Sequence, residues 1–401
     1  MNYSRKQYVD SQATLIAGRK ITLPDDVSNR VFHELTRAEE VQSGLVDQWG
    51  NWEWTFSRAQ REGKIYRPWL DEELQSIALG IPEIPRWPQG KKWALCLTHD
   101  VDLVSQWDTG LKAWRRVRNE LAKPRNVVRL ANTSARAVVR TLQTPLRRGD
   151  DPLWCYERWM EAESAFGFRS SFLFSPSRTA RRHPYDTYFR HDDRVKFDGN
   201  YISVRGMISA MATRGWDVGI HGSYHSCTDA ALLEQQRKEL EDAAGRHVVS
   251  TRQHFLHYHS NRTPQVHAAA GIAVDSTLGF NGLIGFRAGT GFPWWNWDHS
   301  RNCSSPVLQV PLHIMDTGLF NPTSLAYDEA LATTHSLEIM DRVQAAGGCL
   351  TLNWHPNLII VPAVWNTYKT LLKAAAERDP WCGTLRDIHA HRLELEKSLV
   401  S

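Results

Sequence analysis

Two aspartates, Asp100 and Asp102, directly follow a nearly continuous apolar run, Trp93–Thr98. Such a run is typical of a strand buried on both faces. If the strand persists, residues two apart point to the same side, roughly 6.6 Å from each other. One carboxylate can then bind a metal ion while the other lies far enough away to leave room for one water molecule between them. Alone, the pair would also fit a surface turn or a helix N-cap.

Two histidines, His221 and His225, follow a second apolar run, Trp216–Ile220. Residues four apart lie on one face of a helical turn, a common way to present two imidazoles to one cation. Two nitrogens and one carboxylate oxygen suit zinc or a similar metal and leave a position open for water. Alone, the spacing would also fit ordinary core or surface histidines.

A single histidine, His355, ends a third run, in the sequence LNWHP. Because the imidazole has a pKa near neutrality, His355 is a candidate proton donor, although it could also cap a turn before proline. Reactive groups of α/β proteins gather at the carboxyl ends of strands. Three strand ends that all carry titratable residues are therefore harder to explain as structural accidents.

Strands and helices must alternate to position these residues. A polar, partly helical N-terminal region, 1–90, ends in a proline-rich linker, and the chain beyond it alternates apolar runs with helical spacing. About seven such units predict a parallel, barrel-like sheet. The predicted strands are Trp93–Thr98, Arg169–Phe174, Trp216–Ile220, Ser250–Leu256, Ala273–Ser276, Leu308–Pro311 and Cys349–Trp354.

Composition excludes several classes of protein. The 401 residues are 42% hydrophobic, which is ample for a packed core, yet no run approaches the ~18 apolar residues of a membrane span. The six cysteines lie far apart without a CxxC pair, which argues against a zinc knuckle or a disulfide framework. The first residues lack the pattern of a secretory signal, so we expect a cytoplasmic protein.

The segment 111–150 carries eleven basic and two acidic residues. We interpret it as an inserted helical excursion with a charged, solvated face. Clustered arginines could bind nucleic acid, but no recognised motif accompanies them, so we expect no such partner. Peripheral contact with an anionic polymer or a membrane surface would explain the same charge.

The motifs THDVD, HGSYH and LNWHP, in this order, resemble those of the polysaccharide deacetylase superfamily (NodB homology, carbohydrate esterase family 4). Together with GFRAGT and VPLHIMD, they are similar to the bacterial subgroup associated with surface-polysaccharide gene clusters. The resemblance implies a distorted (β/α)7 barrel over 91–392, with 1–90 as an N-terminal extension, 111–150 as an insertion and 393–401 as a tail. The adjacent aspartates of the family motif are separated here by Val101.

The resemblance also implies roles for individual residues. A divalent metal ion, usually Zn²⁺, would be bound by Asp102, His221 and His225. Asp100 would be the general base and His355 the general acid, although the two aspartates could exchange roles. Arg252 loosely matches the family arginine that pairs with the base. Further histidines could join the site or merely line it, and these are His99, His254, His257 and His259.

Additional residues are candidates for substrate contacts or for structural pairing. They are Asp275 in VDSTLGF, Arg287 in GFRAGT and Asp316 in LHIMD. Trp294 and Trp295 belong to an aromatic run that would suit a loop beside a sugar cleft, although core packing explains the run slightly better.

The predicted activity is metal-assisted hydrolysis of N-acetyl groups on a sugar or polysaccharide. Two alternatives stay open. The same centre could hydrolyse a small non-sugar amide, or the chain could be a polysaccharide-binding relative that has lost turnover.

Overall fold

The computed structural model describes residues 4–106, 151–177, 183–187 and 189–400. The predicted basic insertion, 111–150, lies outside the described residues and stays a prediction. The strands of the described part are β1 (Ala94–Val101), β2 (Ser170–Phe174), β3 (Arg194–Phe197), β4 (Asn200–Ser203), β5 (Asp217–Gly222), β6 (Ser250–Gln253), β7 (Val274–Asp275), β8 (Trp294–Asp298), β9 (Cys303–Gln309), β10 (Ile314–Met315), β11 (Cys349–Asn353) and β12 (Trp381–Cys382).

The main sheet has the strand order β10-β11-β1-β2-β5-β6-β7-β9-β8, with β12 also paired to β1. All neighbours from β10 to β9 are parallel, and β8 alone runs antiparallel to β9. The sheet curls into a half-barrel, which confirms the predicted deacetylase-type distorted barrel.

Helices flank the sheet between the strands, as the alternation predicts. Those of the described part are α1 (Arg5–Ala17), α2 (Asp25–Leu35), α3 (Ala38–Ser43), α4 (Arg58–Arg61), α5 (Trp69–Ile77), α6 (Tyr156–Ser164), α7 (Val204–Thr213), α8 (Ala230–Ala244), α9 (Thr263–Ala269), α10 (Asp316–Phe320), α11 (Glu329–Ala346), α12 (Pro362–Glu377) and α13 (Leu385–Val400). Within that part, no helix is both long and apolar enough to span a bilayer.

The alternation of side chains along β1 separates two hydrophobic cores. Leu95 and Leu97 pack into the core that contains residues of α6–α8, α11 and α12, whereas Ala94 and Cys96 pack into the core that contains residues of α1, α2 and α5. Successive residues of a strand point to opposite faces. Asp100 therefore lies on the same face as Ala94 and Cys96.

The N-terminal helices belong to this second core. Tyr8 packs at a tilt against Trp297 of β8, with 4.8 Å between ring centroids. Phe32 packs edge-on against the same ring, with 5.3 Å between centroids. The predicted domain boundary after residue 392 falls inside α13, which runs without interruption from Leu385 to Val400. The extension and the tail are thus integrated with the sheet.

Candidate functional site

The candidate site lies at the carboxyl ends of four strands of the main sheet, β11, β1, β5 and β6, with β2 between β1 and β5. Asp100 is in β1 and Asp102 follows it, His221 is in β5, His254 follows β6, and His355 follows β11. β1 extends further than predicted, to Val101, because β2 pairs with it as far as Val101, whereas its pairing with β11 ends at Thr98. The parallel pairing brings these strand ends to one edge of the sheet.

A carboxylate and two imidazoles form the centre of the site. One ligand atom from each of Asp102, His221 and His254 lies within 4.8 Å of the others. The Oδ1 atom of Asp102 is 3.4 Å from Nε2 of His221 and 3.6 Å from Nε2 of His254. Atoms that bind one tetrahedral zinc ion at about 2.1 Å lie roughly 3.4 Å apart, so these separations fit a metal site.

A buried polar atom supports the same assignment. Oδ1 of Asp102 is buried and has no hydrogen-bond partner among the described residues. Burying a carboxylate oxygen without a partner is costly, and a bound cation would remove that cost. Burial alone would raise the pKa of the Asp102 carboxyl, but His254 and His221 hold that pKa far below its usual value.

The orientation of His221 leaves one ring nitrogen available for the metal. Its Nδ1–H donates to the carbonyl oxygen of Arg252, at 2.9 Å, so Nε2 is the ring nitrogen that faces Asp102. A hydrogen bond of this kind fixes the tautomer of a metal-binding histidine.

His225 does not join this group, although the resemblance implies that it is a ligand. The helical spacing does not apply, because His221 lies in strand β5 and His225 precedes a 3-10 turn, Ser226–Thr228. The ring of His225 instead lies against His183, with 5.3 Å between ring centroids. His254, which the sequence left open, is the second imidazole near Asp102.

Asp100 is buried and hydrogen-bonded through both carboxylate oxygens. Nη1 of Arg252 donates to Oδ1 at 2.9 Å, and Nδ2 of Asn353 donates to Oδ2 at 2.8 Å. Burial acts to raise the pKa of the Asp100 carboxyl, but the charge of Arg252, assisted by His221, keeps that pKa below its usual value. Asp100 is therefore held as a carboxylate.

Arg252 is completely buried and fixed on every side. Its guanidinium donates to the carbonyl and hydroxyl oxygens of Ser276 at 2.8 Å each, and to the hydroxyl of Thr98 at 2.9 Å. The structure places this arginine beside Asp100, as the motif comparison expects. Its geometry leaves little freedom for Asp100 to move.

His355 forms a buried pair with Asp316. Nδ1 of His355 is 2.6 Å from Oδ1 of Asp316, and the backbone N–H of His355 donates to the other oxygen at 2.7 Å. Nε2 then points toward Asp102, 3.8 Å from Oδ2. Burial opposes protonation, but the charges of Asp316, Asp102 and Asp100 raise the pKa of His355 to about 10.

The other candidate residues have their hydrogen-bond partners outside this centre. Asp275 is buried and accepts hydrogen bonds from the backbone and hydroxyl of Thr277. Both oxygens of Glu40 pair with the guanidinium of Arg287. Trp294 and Trp295 lie in β8, where their indoles donate to the carbonyl of Leu35 and the carboxylate of Glu396. They lie in a core and do not flank an open cleft.

A cavity of about 550 Å³ lies beside the turn that carries His254. The carbonyl of Phe255, the next residue, accepts hydrogen bonds from Asn51 and Asn281, which both line the cavity. Aromatic side chains of the N-terminal region and of the loop before β8 form much of its wall, and they are Trp49, Trp52, Trp54 and Phe280. Polar and charged side chains also line it, among them Asp47, Glu53 and Arg287. Cavities of this volume are typical of small-ligand sites.

Two of these contributions were not predicted from the sequence. Asn353 stands two residues before His355 and contacts Asp100, so the alternation along β11 could have indicated it. The tryptophans at 49, 52 and 54 form an aromatic cluster in the sequence, but no local sequence pattern connects this cluster with a site some 200 residues later.

His99, one of the histidines that could have joined the site, lies on the opposite face of β1, where it is hydrogen-bonded to Glu163.

Comparisons with known proteins give the fold. No protein-family model and no curated protein matches the chain. A solved structure from Mycobacterium smegmatis, described as a polysaccharide deacetylase, has a TM-score of 0.50 and 20% identity, over 77% of this chain and 93% of that one. At this identity the likeness shows a shared fold, which confirms the resemblance at that level.

Two further solved structures are more distant. One, from Pseudomonas aeruginosa PAO1 and also described as a polysaccharide deacetylase, has a TM-score of 0.48 and 14% identity, over 78% of this chain and 94% of that one. The other is the catalytic domain of a peptidoglycan N-acetylglucosamine deacetylase from Eubacterium rectale, with a TM-score of 0.34 and 11% identity, over 74% and 89%. Neither adds to the argument.

Proposed function

We propose that the protein is a metal-dependent deacetylase of the polysaccharide deacetylase superfamily, which removes N-acetyl groups from a sugar or polysaccharide. One observation carries the proposal. A carboxylate with two imidazoles, an arginine-paired aspartate and an aspartate-paired histidine lie together at one edge of a deacetylase-type sheet.

The metal ligands in this proposal are Asp102, His221 and His254. Two neutral imidazoles and one carboxylate are the donors that zinc takes in hydrolases, so Zn²⁺ is the proposed cofactor. A bound zinc ion supplies a Lewis acid for the acetyl carbonyl and lowers the pKa of a bound water toward ~7. His225 stays the alternative ligand implied by the motif resemblance.

Asp100 is the proposed general base. Arg252 occupies one lone pair of Oδ1 and Asn353 occupies one lone pair of Oδ2. A carboxylate has about four lone pairs that can accept hydrogen bonds. A lone pair thus remains to accept the proton of the attacking water. The fixed arginine keeps Asp100 ionised, since an adjacent cation favours the charged form.

His355 is the proposed general acid. Asp316 holds its Nδ1–H and stabilises the imidazolium, so Nε2 carries a proton that can pass to the departing amine. Amide hydrolysis needs such a donor because the amide nitrogen is a poor leaving group until it has been protonated and can depart as an amine. A positioned acid of this kind contributes roughly 10²–10⁴-fold to the rate.

The cavity beside His254 supports a carbohydrate substrate. Trp49 and Trp54 are only partly buried in its wall, and a flat indole face with one N–H donor suits a sugar ring. Asn281 also lines the cavity and could offer hydrogen bonds to hydroxyl groups. A small non-sugar amide would not need an aromatic wall of this size.

A substrate comparison tests the proposed function against its alternatives. Purified, zinc-loaded protein is incubated with N-acetylated chitooligosaccharides and, separately, with small linear and cyclic amides. Acetate release from the oligosaccharides alone supports the deacetylase. Turnover of the small amides alone supports the amidase, and bound metal without turnover of any substrate supports a non-catalytic polysaccharide-binding protein.

We also propose a cytoplasmic location. All six cysteines are free, which is typical of proteins in a reducing compartment. Contact of the segment 111–150 with an anionic polymer or membrane surface stays a prediction from its charge.

A further inference from the structure

A second group of metal-ligating side chains lies beside the candidate site. Cys227, His257 and His259 each place one ligand atom within 4.8 Å of the others. Cys227 and His257 are buried, and His259 is partly buried. None of these residues belongs to the centre formed by Asp102, His221 and His254.

The distances suit a thiolate and two imidazoles around one ion. Sγ of Cys227 is 3.1 Å from Nδ1 of His257, and the rings of His257 and His259 are 4.9 Å apart between centroids. A tetrahedral zinc ion with Zn–S of about 2.3 Å and Zn–N of about 2.1 Å separates its ligand atoms by roughly 3.5 Å. Small side-chain movements would bring the three ligand atoms to that spacing.

A cation binds the neutral form of an imidazole and the thiolate form of a cysteine. The thiol of Cys227 and the ring of His257 are both buried. A metal ion would deprotonate that thiol on binding.

Binding also requires a change of tautomer at His257. Its Nδ1 lies 2.7 Å from the carbonyl oxygen of Tyr224, and without metal the Nδ1–H donates to that oxygen. With metal at Nδ1 the imidazole proton moves to Nε2, which lies near Gly50. One proton, from the thiol of Cys227, is released for each ion bound.

The group joins the two segments that carry the first metal centre. Cys227 lies in the turn Ser226–Thr228, which follows β5 and His221. His257 follows the turn His254–Leu256, in which Phe255 and Leu256 have positive φ angles of 58° and 49°. Residues other than glycine rarely adopt that backbone conformation, so a cross-link at the end of this turn would help to hold His254 in place.

We propose that Cys227, His257 and His259 bind a second divalent ion of zinc type. This ion has a structural role and fastens the turn after β5 to the turn after β6. The site differs from the first centre in having a sulfur ligand, and its existence does not depend on the proposed activity.

Cobalt(II) substitution tests this site selectively, because the first centre contains no thiolate. We expect chelator-treated full-length protein to bind Co²⁺ with a thiolate-to-cobalt charge-transfer absorption. His221→Ala should keep that absorption, and so should the control Cys303→Ser, which changes a free cysteine in β9. Cys227→Ser should lose it, together with one equivalent of bound metal.

Two results would overturn the proposal: no charge-transfer absorption in the wild type at saturating Co²⁺, or an undiminished absorption in folded Cys227→Ser. Should Cys227→Ser fail to fold, His259→Ala decides, since this ring is only partly buried. Loss of the absorption in folded His259→Ala supports the site, and its retention contradicts a three-ligand centre.

Discussion

Asp100 and Asp102 have the same chemistry but different partners. Asp100 lies inside β1, on the face where Arg252 and Asn353 reach it, and Asp102 lies just beyond the strand, beside two histidines. The sequence left open which aspartate is the base and which is the ligand. Their partners favour Asp100 as base and Asp102 as ligand.

Substitution of each aspartate by asparagine separates these roles. We expect Asp100→Asn to keep its metal and lose roughly 10²–10⁴-fold in kcat, because only the proton acceptor is removed. Asp102→Asn should lose the ion of the first centre, one equivalent of metal, together with the activity. Metal content by elemental analysis and acetate release measure the two effects. Equal metal loss in both variants would contradict the assignment.

The second imidazole ligand is tested by a pair of histidine variants. We expect His254→Ala to weaken zinc binding at least 10-fold, since it removes one of three ligands at the first centre. His225→Ala should bind zinc there with nearly wild-type affinity. Competitive titration against a chelator, in a Cys227→Ser background, measures that affinity alone. The opposite ranking would restore the ligand set implied by the motif resemblance.

At the scale of elements, the alternation of side chains along the strands decides what reaches the site. In β5, Gly219 lies on the same face as His221, and this face is tightly packed. A Cβ atom on Gly219 would lie 2.3 Å from Cδ2 of Leu173 and 2.4 Å from Oγ of Ser250. The glycine therefore permits β2, β5 and β6 to pack closely beneath the metal centre.

We expect Gly219→Ala to destabilise the protein by about 1–3 kcal/mol, through overpacking on this face. Gly206→Ala in α7 is the matched control. Its nearest contact would be an ordinary 3.4 Å, and alanine favours helix over glycine by up to about 1 kcal/mol. Urea unfolding of both variants gives the free energies of unfolding. Equal stability of the two would contradict the packing argument.

Seven strands of the main sheet were predicted from the sequence, because buried parallel strands are short apolar runs between helical segments. The order of the strands in the sheet was not predicted, and neither were β3, β4, β8, β10 and β12. The two aspartates and His355 were predicted for the same reason, since they stand at strand ends. The prediction of His225 as a ligand relied on helical spacing, whereas the chain here leaves a strand and enters a 3-10 turn. The position of His254 depends on the irregular geometry of the turn His254–Leu256, which the periodicity of apolar residues along the sequence does not reveal.

At the scale of the whole molecule, the N-terminal region contributes both to the core and to the candidate substrate cavity. Tyr8 and Phe32 pack on Trp297, and Trp49 and Trp54 line the cavity. These contacts join residues more than 200 positions apart, so composition and periodicity could not indicate them. The aromatic run of β8 likewise turned out to lie in a core shared with α1 and α2.

Asp71 in α5 links this region to the barrel and makes its stability depend on pH. Its Oδ2 accepts a hydrogen bond from the backbone N–H of Gly291, and burial raises the pKa of Asp71 to about 7. In the unfolded chain the pKa is about 3.9. Between these values the folded state holds more protons, so this residue's contribution to stability falls as the pH rises from 4 to 7.

Asparagine at this position removes the titration and keeps an acceptor for Gly291. We expect Asp71→Asn to be more stable than the wild type by on the order of 2–4 kcal/mol at pH 8, and nearly equal to it at pH 4. Urea unfolding across this pH range measures the difference. A difference that does not change with pH would contradict the buried, protonated state of Asp71.

The most direct test of the account is reactivation of chelator-treated protein by zinc, followed as acetate release from an N-acetylated chitooligosaccharide. Chelated wild-type protein should be inactive and should regain activity as the first centre fills, whereas His221→Ala should stay inactive at the same zinc concentrations. Full activity after chelation, or reactivation of His221→Ala to the wild-type rate, would contradict a catalytic metal held by Asp102, His221 and His254.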